Sequence, residues 1–146
     1  MFSACATAPC RERIGQGAMK AITIETSRRT EFIDITRLVQ AALEDLRPAG
    51  GAVTVFVPHT TAGIMINENA DPDVQADIES VLEKIVPWHG GYRHGEGNSA
   101  AHVKALLAGS SVRVPVENNR LRLGRWQGIF FCEFDGPRSR KIWVIP

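Results

Sequence analysis

Four residues have types and positions that suit a metal or proton-transfer site. The stretch "YRHGEGNSAAH", residues 92–102, holds His94, Glu96 and His102, and His59 follows an apolar run earlier in the chain. Neutral imidazole nitrogen is a common zinc ligand, and a catalytic zinc typically keeps three protein ligands and one open position. A strand end, a loop and the first turn of a helix can converge on one point. The three histidines therefore form a candidate zinc site, with Glu96 as a general base or as a partner that orients a histidine.

Each of these histidines also has an ordinary structural explanation. A histidine at the end of a buried strand, such as His59, is more often a hydrogen-bonded structural residue than a ligand. The same applies to His102, which lies beside apolar residues of a short helix, while His94 fits an exposed loop. The spacing of His94 and His102 matches no short metal motif, so the residues alone leave both interpretations open. His89, next to Trp88, is interpreted as a surface residue.

The start of the helix after this loop also suits an anion such as phosphate. Gly95 and Gly97 allow close backbone approach, and the free N–H groups at a helix start attract negative charge. Glu96 would compete with such an anion. The residues that could cap the helix or bind phosphate are Arg93, Asn98, Ser99, Lys104, Arg138 and Arg140. For Asn98, the alternative to phosphate binding is simple helix capping. For the two C-terminal arginines, the alternative is a turn exposed to solvent.

The elements that must position these residues alternate short strands with three helices. Helices are predicted over 36–46, 72–86 and 99–108, where apolar residues recur at helical spacing. Asp71 caps the second, Pro72 starts it, and Gly109 closes the third. The acidic residues near Asp71 could also bind a magnesium ion through their carboxylate oxygens. Helix capping is the preferred explanation for them. The predicted strands are 21–26, 31–35, 52–58, 63–67, 111–116, 120–124, 126–134 and 141–146.

This order of elements predicts an α+β fold. We expect a mainly antiparallel sheet that curls into a sandwich-like or barrel-like core, with about three helices packed outside. Pro115 marks its strand as an edge strand or one with a bulge, because proline lacks the N–H group of a ladder bond. Asn118 and Asn119 predict a tight hairpin, because asparagine tolerates positive φ.

Composition narrows the class of protein. The 146 residues are predicted to form one domain over 19–146, after an N-terminal extension over 1–18 that is expected to be disordered. A net charge of +1 argues against a nucleic-acid partner. Because no apolar stretch reaches about 18 residues, no membrane partner is expected. The three cysteines, Cys5, Cys10 and Cys132, make no disulfide framework, which favours a cytoplasmic location.

Three motifs together resemble the YjbQ family, also called uncharacterised protein family UPF0047. They are "HTTAGIMINENADPD", "HGEGNSAAHVKALLAGSSVRVPV" and "LGRWQGIFFCEFDGPRSR", and the resemblance extends over 19–146. The chain departs from the family pattern at Asn119, where glycine is usual, and at Arg125, where threonine is usual.

The resemblance implies a homotrimer, with a shared site at His59, His94 and His102 that lies near a subunit boundary. It also implies weak thiamine-phosphate synthase activity, in which a pyrimidine pyrophosphate joins a thiazole phosphate. Such a reaction needs phosphate-binding residues and normally a divalent cation, zinc at the histidines or magnesium for the synthase step.

Three functions follow, in order of preference. The first is an enzyme with a metal or anion site that acts on a phosphorylated small molecule. The second is a non-catalytic trimeric module that binds a metabolite or a partner. The third is a zinc-dependent phosphoester hydrolase.

Overall fold

Two antiparallel sheets and three helices make up the fold in a computed structural model that describes residues 19–48 and 50–146. The predicted N-terminal extension therefore lies outside the described residues. In chain order the elements are β1 (Lys20–Glu25), β2 (Glu31–Asp34), α1 (Thr36–Leu46), β3 (Gly51–Phe56), β4 (Ala62–Glu68), α2 (Pro72–Ile85), α3 (Ser99–Ala108), β5 (Ser111–Glu117), β6 (Arg120–Leu121), β7 (Gln127–Glu133) and β8 (Ser139–Ile145).

The sheets have five and three strands. The five-stranded sheet has the order β1-β8-β3-β5-β6, and the three-stranded sheet has the order β2-β7-β4. All of these strand pairs are antiparallel, which confirms the predicted α+β class. Within the described ranges, no helix is both long and apolar enough to cross a membrane.

The main core lies between the two sheets and α1. Val53 and Val55 of β3, Ile64 of β4 and Phe131 of β7 are fully buried there, together with Leu43 of α1. Burial of side chains of this size stabilises the folded state by roughly 1.5–3 kcal/mol each. The two sheets are therefore joined by one continuous hydrophobic core.

The three-stranded sheet is covered on both faces, which explains the unbroken apolar sequence of β7. Phe131 faces the main core, whereas Phe130, Cys132 and Phe134 belong to a second cluster with Ala101 of α3. Successive residues of a strand point to opposite faces, so a strand buried on both faces shows no alternation of polar residues. This arrangement places the N terminus of α3 near the end of β7.

Helix α3 buries small residues and exposes large ones. Its buried positions are Ala100, Ala101, Lys104 and Ala105. It packs so closely on β4 that a Cβ atom added at Gly63 would lie 2.8 Å from the Cβ atom of Ala108. Close packing of this kind needs the small side chains on the inner face.

Helix α2, which the Lys104–Glu83 ion pair ties to α3, contains no buried residue. The large apolar side chains that remain exposed on these two helices are Val81, Ile85, Val103, Leu106 and Leu107. We refer to these five residues as the α2–α3 face. Leu106 is 78% exposed and Ile85 is 62% exposed. An apolar surface of this kind is typical of a protein interface.

The hairpin between β5 and β6 follows the prediction for the two asparagines. Asn118 and Asn119 have φ of 51° and 60°, so Asn119 adopts the backbone that glycine would favour. Pro115 lies in β5, and its carbonyl oxygen accepts a hydrogen bond from the N–H group of Arg122. In an antiparallel strand the N–H and C=O groups of one residue point the same way. The nitrogen atom of Pro115, which carries no hydrogen, therefore faces β6. The pairing of Pro115 with β3 loses no hydrogen bond.

Candidate functional site

A turn in the loop before α3 brings two of the predicted histidines together. Gly97 has a φ of 74°, and its N–H group donates a hydrogen bond to the carbonyl oxygen of His94 at 3.2 Å. The ring centroids of His94 and His102 lie 5.3 Å apart, with the rings nearly perpendicular. The Oε2 atom of Glu96 lies 3.7 Å from the Nε2 atom of His94. We call His94, Glu96 and His102 the imidazole cluster.

The imidazole cluster is open to solvent on one side. The side chain of His94 is 44% exposed and that of Glu96 is 76% exposed, whereas His102 is half-buried on the first turns of α3. A ligand can therefore reach both rings from outside. The Glu96 carboxylate lies near the His94 ring but beyond hydrogen-bond distance, so either role expected for Glu96 stays a prediction.

His59 makes a backbone contact of its own. Its Nε2 atom accepts a hydrogen bond at 2.9 Å from the N–H group of Lys141, near the start of β8. Burial lowers the pKa of His59, and the charge of Arg140 lowers it further, against a smaller opposing effect of Glu133. The ring is therefore neutral at pH 7, with its proton on Nδ1. Since Nε2 already accepts the Lys141 N–H group, this nitrogen is not available to a metal ion in this conformation.

A three-histidine metal centre is therefore not formed within one chain. Among residues 19–48 and 50–146, no group of three or more His, Cys, Asp or Glu side chains is placed to hold a metal ion. The imidazole cluster supplies two imidazoles and one carboxylate, but not in a coordinating arrangement. His89 is exposed and takes no part in the cluster, as expected.

The predicted phosphate-binding residues fall into two groups. Arg93 is exposed in the loop, and Ser99 starts α3. The remaining basic groups are already paired. The ammonium group of Lys104 is buried and bonds Glu83 of α2 at 2.6 Å, so it ties the two helices together and does not point to solvent. The hydrogen bond from Lys104 also lowers the pKa of Glu83, which keeps the Glu83 carboxylate ionised.

Arg140 belongs to a buried polar network that the sequence analysis missed. Its Nη2 atom donates to Oε1 of Glu133 at 2.6 Å and to Oγ1 of Thr61 at 2.8 Å, and its Nε atom donates to Oε2 of Glu133 at 2.8 Å. Thr26 donates to the same carboxylate at 3.0 Å. We call Thr26, Thr61, Glu133 and Arg140 the buried ion-pair network.

Glu133 is fully buried and ionised. Burial alone would raise its pKa, but the hydrogen bonds from Arg140 and from the backbone N–H group of Asp135, the charge of Arg140 and the hydroxyl of Thr26 together lower it. One sequence signal could have identified this residue. Glu133 is the only charged residue in the apolar run "IFFCEF", and a buried charge requires a partner.

Arg138 and Asn98 meet at Asp135, in the turn after β7. The Oδ2 atom of Asp135 accepts hydrogen bonds of 3.0 Å from Nδ2 of Asn98 and from Nη2 of Arg138. This carboxylate connects the start of α3 to the turn that carries the two predicted arginines. Asn98 occupies the N-cap position of α3, yet its side chain makes no capping hydrogen bond.

The predicted site residues thus lie in several separate places. His94 and His102 pair in the imidazole cluster, Asn98 and Arg138 meet at Asp135, and His59 lies beside the buried ion-pair network. Most of these residues come from the three motifs on which the resemblance depends. A family model described as "UPF0047 protein YjbQ-like" matches residues 20–145. The chain belongs to the YjbQ family.

Relatives of this YjbQ protein share both its sequence and its fold. The UPF0047 protein YugU of Bacillus subtilis is 53% identical over 127 residues, which cover 86% of this chain and 96% of YugU. An uncharacterised YjbQ/UPF0047 protein of Clostridium acetobutylicum has a crystal structure that matches with a TM-score of 0.83 and 54% identity, over 86% of this chain and 97% of that one. A conserved hypothetical protein of Thermus thermophilus matches with a TM-score of 0.79 and 46% identity, over 86% and 97% of the two chains.

Proposed function

We propose that this YjbQ protein is an enzyme that acts on a phosphorylated small molecule bound at the imidazole cluster and the start of α3. The observation that supports this proposal is the close pairing of His94, in an exposed loop, with the half-buried His102 of the helix that follows, whose N-cap residue makes no side-chain capping bond. Imidazole N–H groups and the N–H groups of a helix start both donate to phosphate oxygens. Glu96 serves as the general base or orients His94.

A divalent metal ion is a further part of this proposal. The residues of one chain do not fit a three-imidazole zinc centre, because His59 is engaged by the backbone of Lys141. Zinc at His94 and His102 would therefore need a ligand from another subunit. When bound, the metal would polarise a phosphoryl oxygen. Magnesium, which prefers oxygen ligands, would instead arrive with the phosphorylated substrate.

Binding measurements on single-histidine variants test the site. Titration calorimetry with inorganic phosphate and, separately, with zinc is expected to show binding to the unchanged protein. His94→Ala and His102→Ala are each expected to weaken binding about ten- to a hundredfold, the effect of losing a hydrogen bond to a charged group worth roughly 1.5–3 kcal/mol. His89→Ala is the matched control, because His89 is an exposed histidine outside the cluster. Equal binding by all four proteins would refute the site.

Thiamine-phosphate synthase activity needs its own test. We expect the purified protein to join a pyrimidine pyrophosphate to a thiazole phosphate with release of inorganic pyrophosphate, and to rescue growth of a strain that lacks its own synthase. His94→Ala is expected to lose both effects, whereas His89→Ala keeps them. Phosphate binding without turnover of these substrates would support the alternative of a non-catalytic binding module. Metal-dependent cleavage of generic phosphoesters would support the hydrolase alternative.

We also propose that the protein is a homotrimer whose subunits meet at the α2–α3 face. The support is the exposure of five large apolar side chains on two adjacent helices. Val103 follows His102 directly, so this interface would border the imidazole cluster. Light scattering after size exclusion is expected to give three times the chain mass, and Leu106→Lys is expected to dissociate the assembly. Leu38→Lys is the control, because Leu38 is an exposed leucine on α1. A monomer in the unchanged protein would contradict the proposal.

A further inference from the structure

Glu83, near the end of α2, bonds two parts of the chain that lie on either side of the imidazole cluster in sequence. Its Oε2 atom accepts a hydrogen bond at 2.6 Å from the Nζ atom of Lys104 in α3. Its Oε1 atom accepts a hydrogen bond at 3.3 Å from the backbone N–H group of Trp88, early in the loop before α3. One carboxylate therefore connects the end of α2, the start of this loop and α3.

The bond to Lys104 fixes the helix that carries His102. Lys104 follows His102 by two positions in α3, and its side chain is only 3% exposed. A buried ammonium group needs a partner, so Lys104 cannot leave Glu83 without a large desolvation cost. Because the two residues share one turn of a helix, a contact that fixes Lys104 also fixes the place of the His102 ring.

The bond to Trp88 fixes the loop that carries His94. Trp88 packs against the second hydrophobic cluster, and the guanidinium carbon of Arg29 lies 4.5 Å from its ring centroid. Further along the loop, the hydroxyl group of Tyr92 donates a hydrogen bond at 2.8 Å to the carbonyl oxygen of Pro87. The loop is therefore folded back on its own start before it reaches His94.

We infer that Glu83 is a positioning residue for the imidazole cluster. It holds the loop that carries His94 and the helix that carries His102 in one relative position, in which the two ring centroids lie 5.3 Å apart. Its bonds are to Trp88 and Lys104, so it acts on the rings through the backbone. This inference rests on the function proposed above, since it names a residue that shapes the proposed site.

The nuclear Overhauser effect between the two imidazoles supplies a readout that needs no ligand. We expect a cross-peak between ring protons of His94 and His102 in the unchanged protein, and its loss or weakening in Glu83→Ala and in Lys104→Met. Lys104→Met serves if Glu83→Ala does not fold, because methionine is unbranched and apolar and can stay buried. Glu79→Ala is the matched control, because it removes a glutamate from the same helix about one turn earlier.

Zinc binding separates positioning from simple electrostatics. If Lys104 acted on a bound cation only through its charge, Lys104→Met would tighten zinc binding, because a positive group would be gone. A positioning role predicts the opposite. We expect Lys104→Met and Glu83→Ala each to weaken zinc binding about tenfold, a loss typical of removing a group that holds a metal ligand in place. Glu79→Ala is expected to bind zinc as the unchanged protein does.

A cross-peak as strong in folded Glu83→Ala or Lys104→Met as in the unchanged protein would overturn the inference, and so would its absence from the unchanged protein. Zinc binding by Lys104→Met as tight as that of the unchanged protein would also overturn it. If the unchanged protein shows the cross-peak but binds no zinc, the metal part of the proposed function is refuted. The cross-peaks of the variants then still decide whether Glu83 positions the two rings.

Discussion

Replacing Glu133 by glutamine tests the buried ion-pair network directly. Glu133 accepts hydrogen bonds from two nitrogen atoms of Arg140, from the hydroxyl of Thr26 and from the N–H groups of Phe134 and Asp135. Glutamine has one acceptor oxygen and one NH₂ group, so either orientation of the amide places a donor against Arg140. The positive charge of Arg140, which is only 6% exposed, also loses its partner.

The size of the effect follows from these contacts. Removing one partner of a buried ion pair costs about 3–5 kcal/mol, because the remaining charge stays buried and uncompensated. A domain of this kind is typically stable by only about 5–15 kcal/mol. We therefore expect Glu133→Gln to lower the free energy of unfolding by about 3–5 kcal/mol, with the protein still folded at 25 °C.

Urea unfolding at pH 7, at one fixed protein concentration, measures this change. Glu117→Gln is the matched control, and its exposed pair with Arg122 is expected to contribute less than about 1 kcal/mol. The double variant Glu133→Gln/Arg140→Met is expected to be more stable than Glu133→Gln alone, since no unpaired charge remains. A loss below about 1 kcal/mol for Glu133→Gln, or a double variant less stable than that single variant, would refute the reasoning.

Three further predictions concern packing, pH and reactivity. Gly63→Ala is expected to lower the free energy of unfolding by about 1–3 kcal/mol, because the added methyl group overpacks against Ala108. The measurement is the melting temperature, and an unchanged melting temperature would contradict the close approach of α3. The pKa of His59 is lower in the folded state than in the unfolded chain, so on acidification the unfolded chain takes up the proton at higher pH. The free energy of unfolding is therefore expected to fall as pH drops below about 6.5. Unfolding of His59→Gln at several pH values should show a smaller fall, and an equal fall would exclude this histidine. Burial raises the pKa of Cys132 to about 12, so peptide mapping should find it alkylated by iodoacetamide only in denaturant; rapid labelling of the native protein would contradict its burial.

The sequence predicted the elements well where local signals were strong. Asp71 accepts the N–H group of Asp73 and Pro72 starts α2, as expected. Gly109 closes α3, as expected. The predicted strand over 120–124 was too long. Only Arg120 and Leu121 pair as β6, because the next residue of β5, Pro115, accepts a hydrogen bond from Arg122 but has no N–H group to return one.

Contacts between distant parts of the chain could not be predicted from the sequence. His94 and His102 share a loop and the helix that follows it, so their proximity was predictable from local sequence. Whether His59 reaches these two histidines depends on how the sheets pack. In the structure, His59 instead accepts a hydrogen bond from the backbone N–H group of Lys141. Glu133 was overlooked because its partner, Arg140, lies on another strand and was interpreted from sequence as a phosphate-binding residue or part of a solvated turn.

Arg125, at the position where the resemblance implies a threonine, stacks on an aromatic ring. Its guanidinium carbon lies 4.6 Å from the ring centroid of Trp126, which is 54% exposed. Such cation–π stacking contributes about 0.5–1 kcal/mol at an exposed site. The arginine therefore covers an aromatic ring and replaces a hydroxyl group with a positive charge at the surface.

The lack of any buried residue in α2 has a consequence for how the protein opens. Helices with few buried contacts separate from a domain at much lower free energy than its core strands do. Leu82 packs on the second cluster and Glu83 bonds Lys104, so few contacts hold α2 in place. We expect α2 to detach and re-form many times before global unfolding, and limited proteolysis within α2 would report this opening.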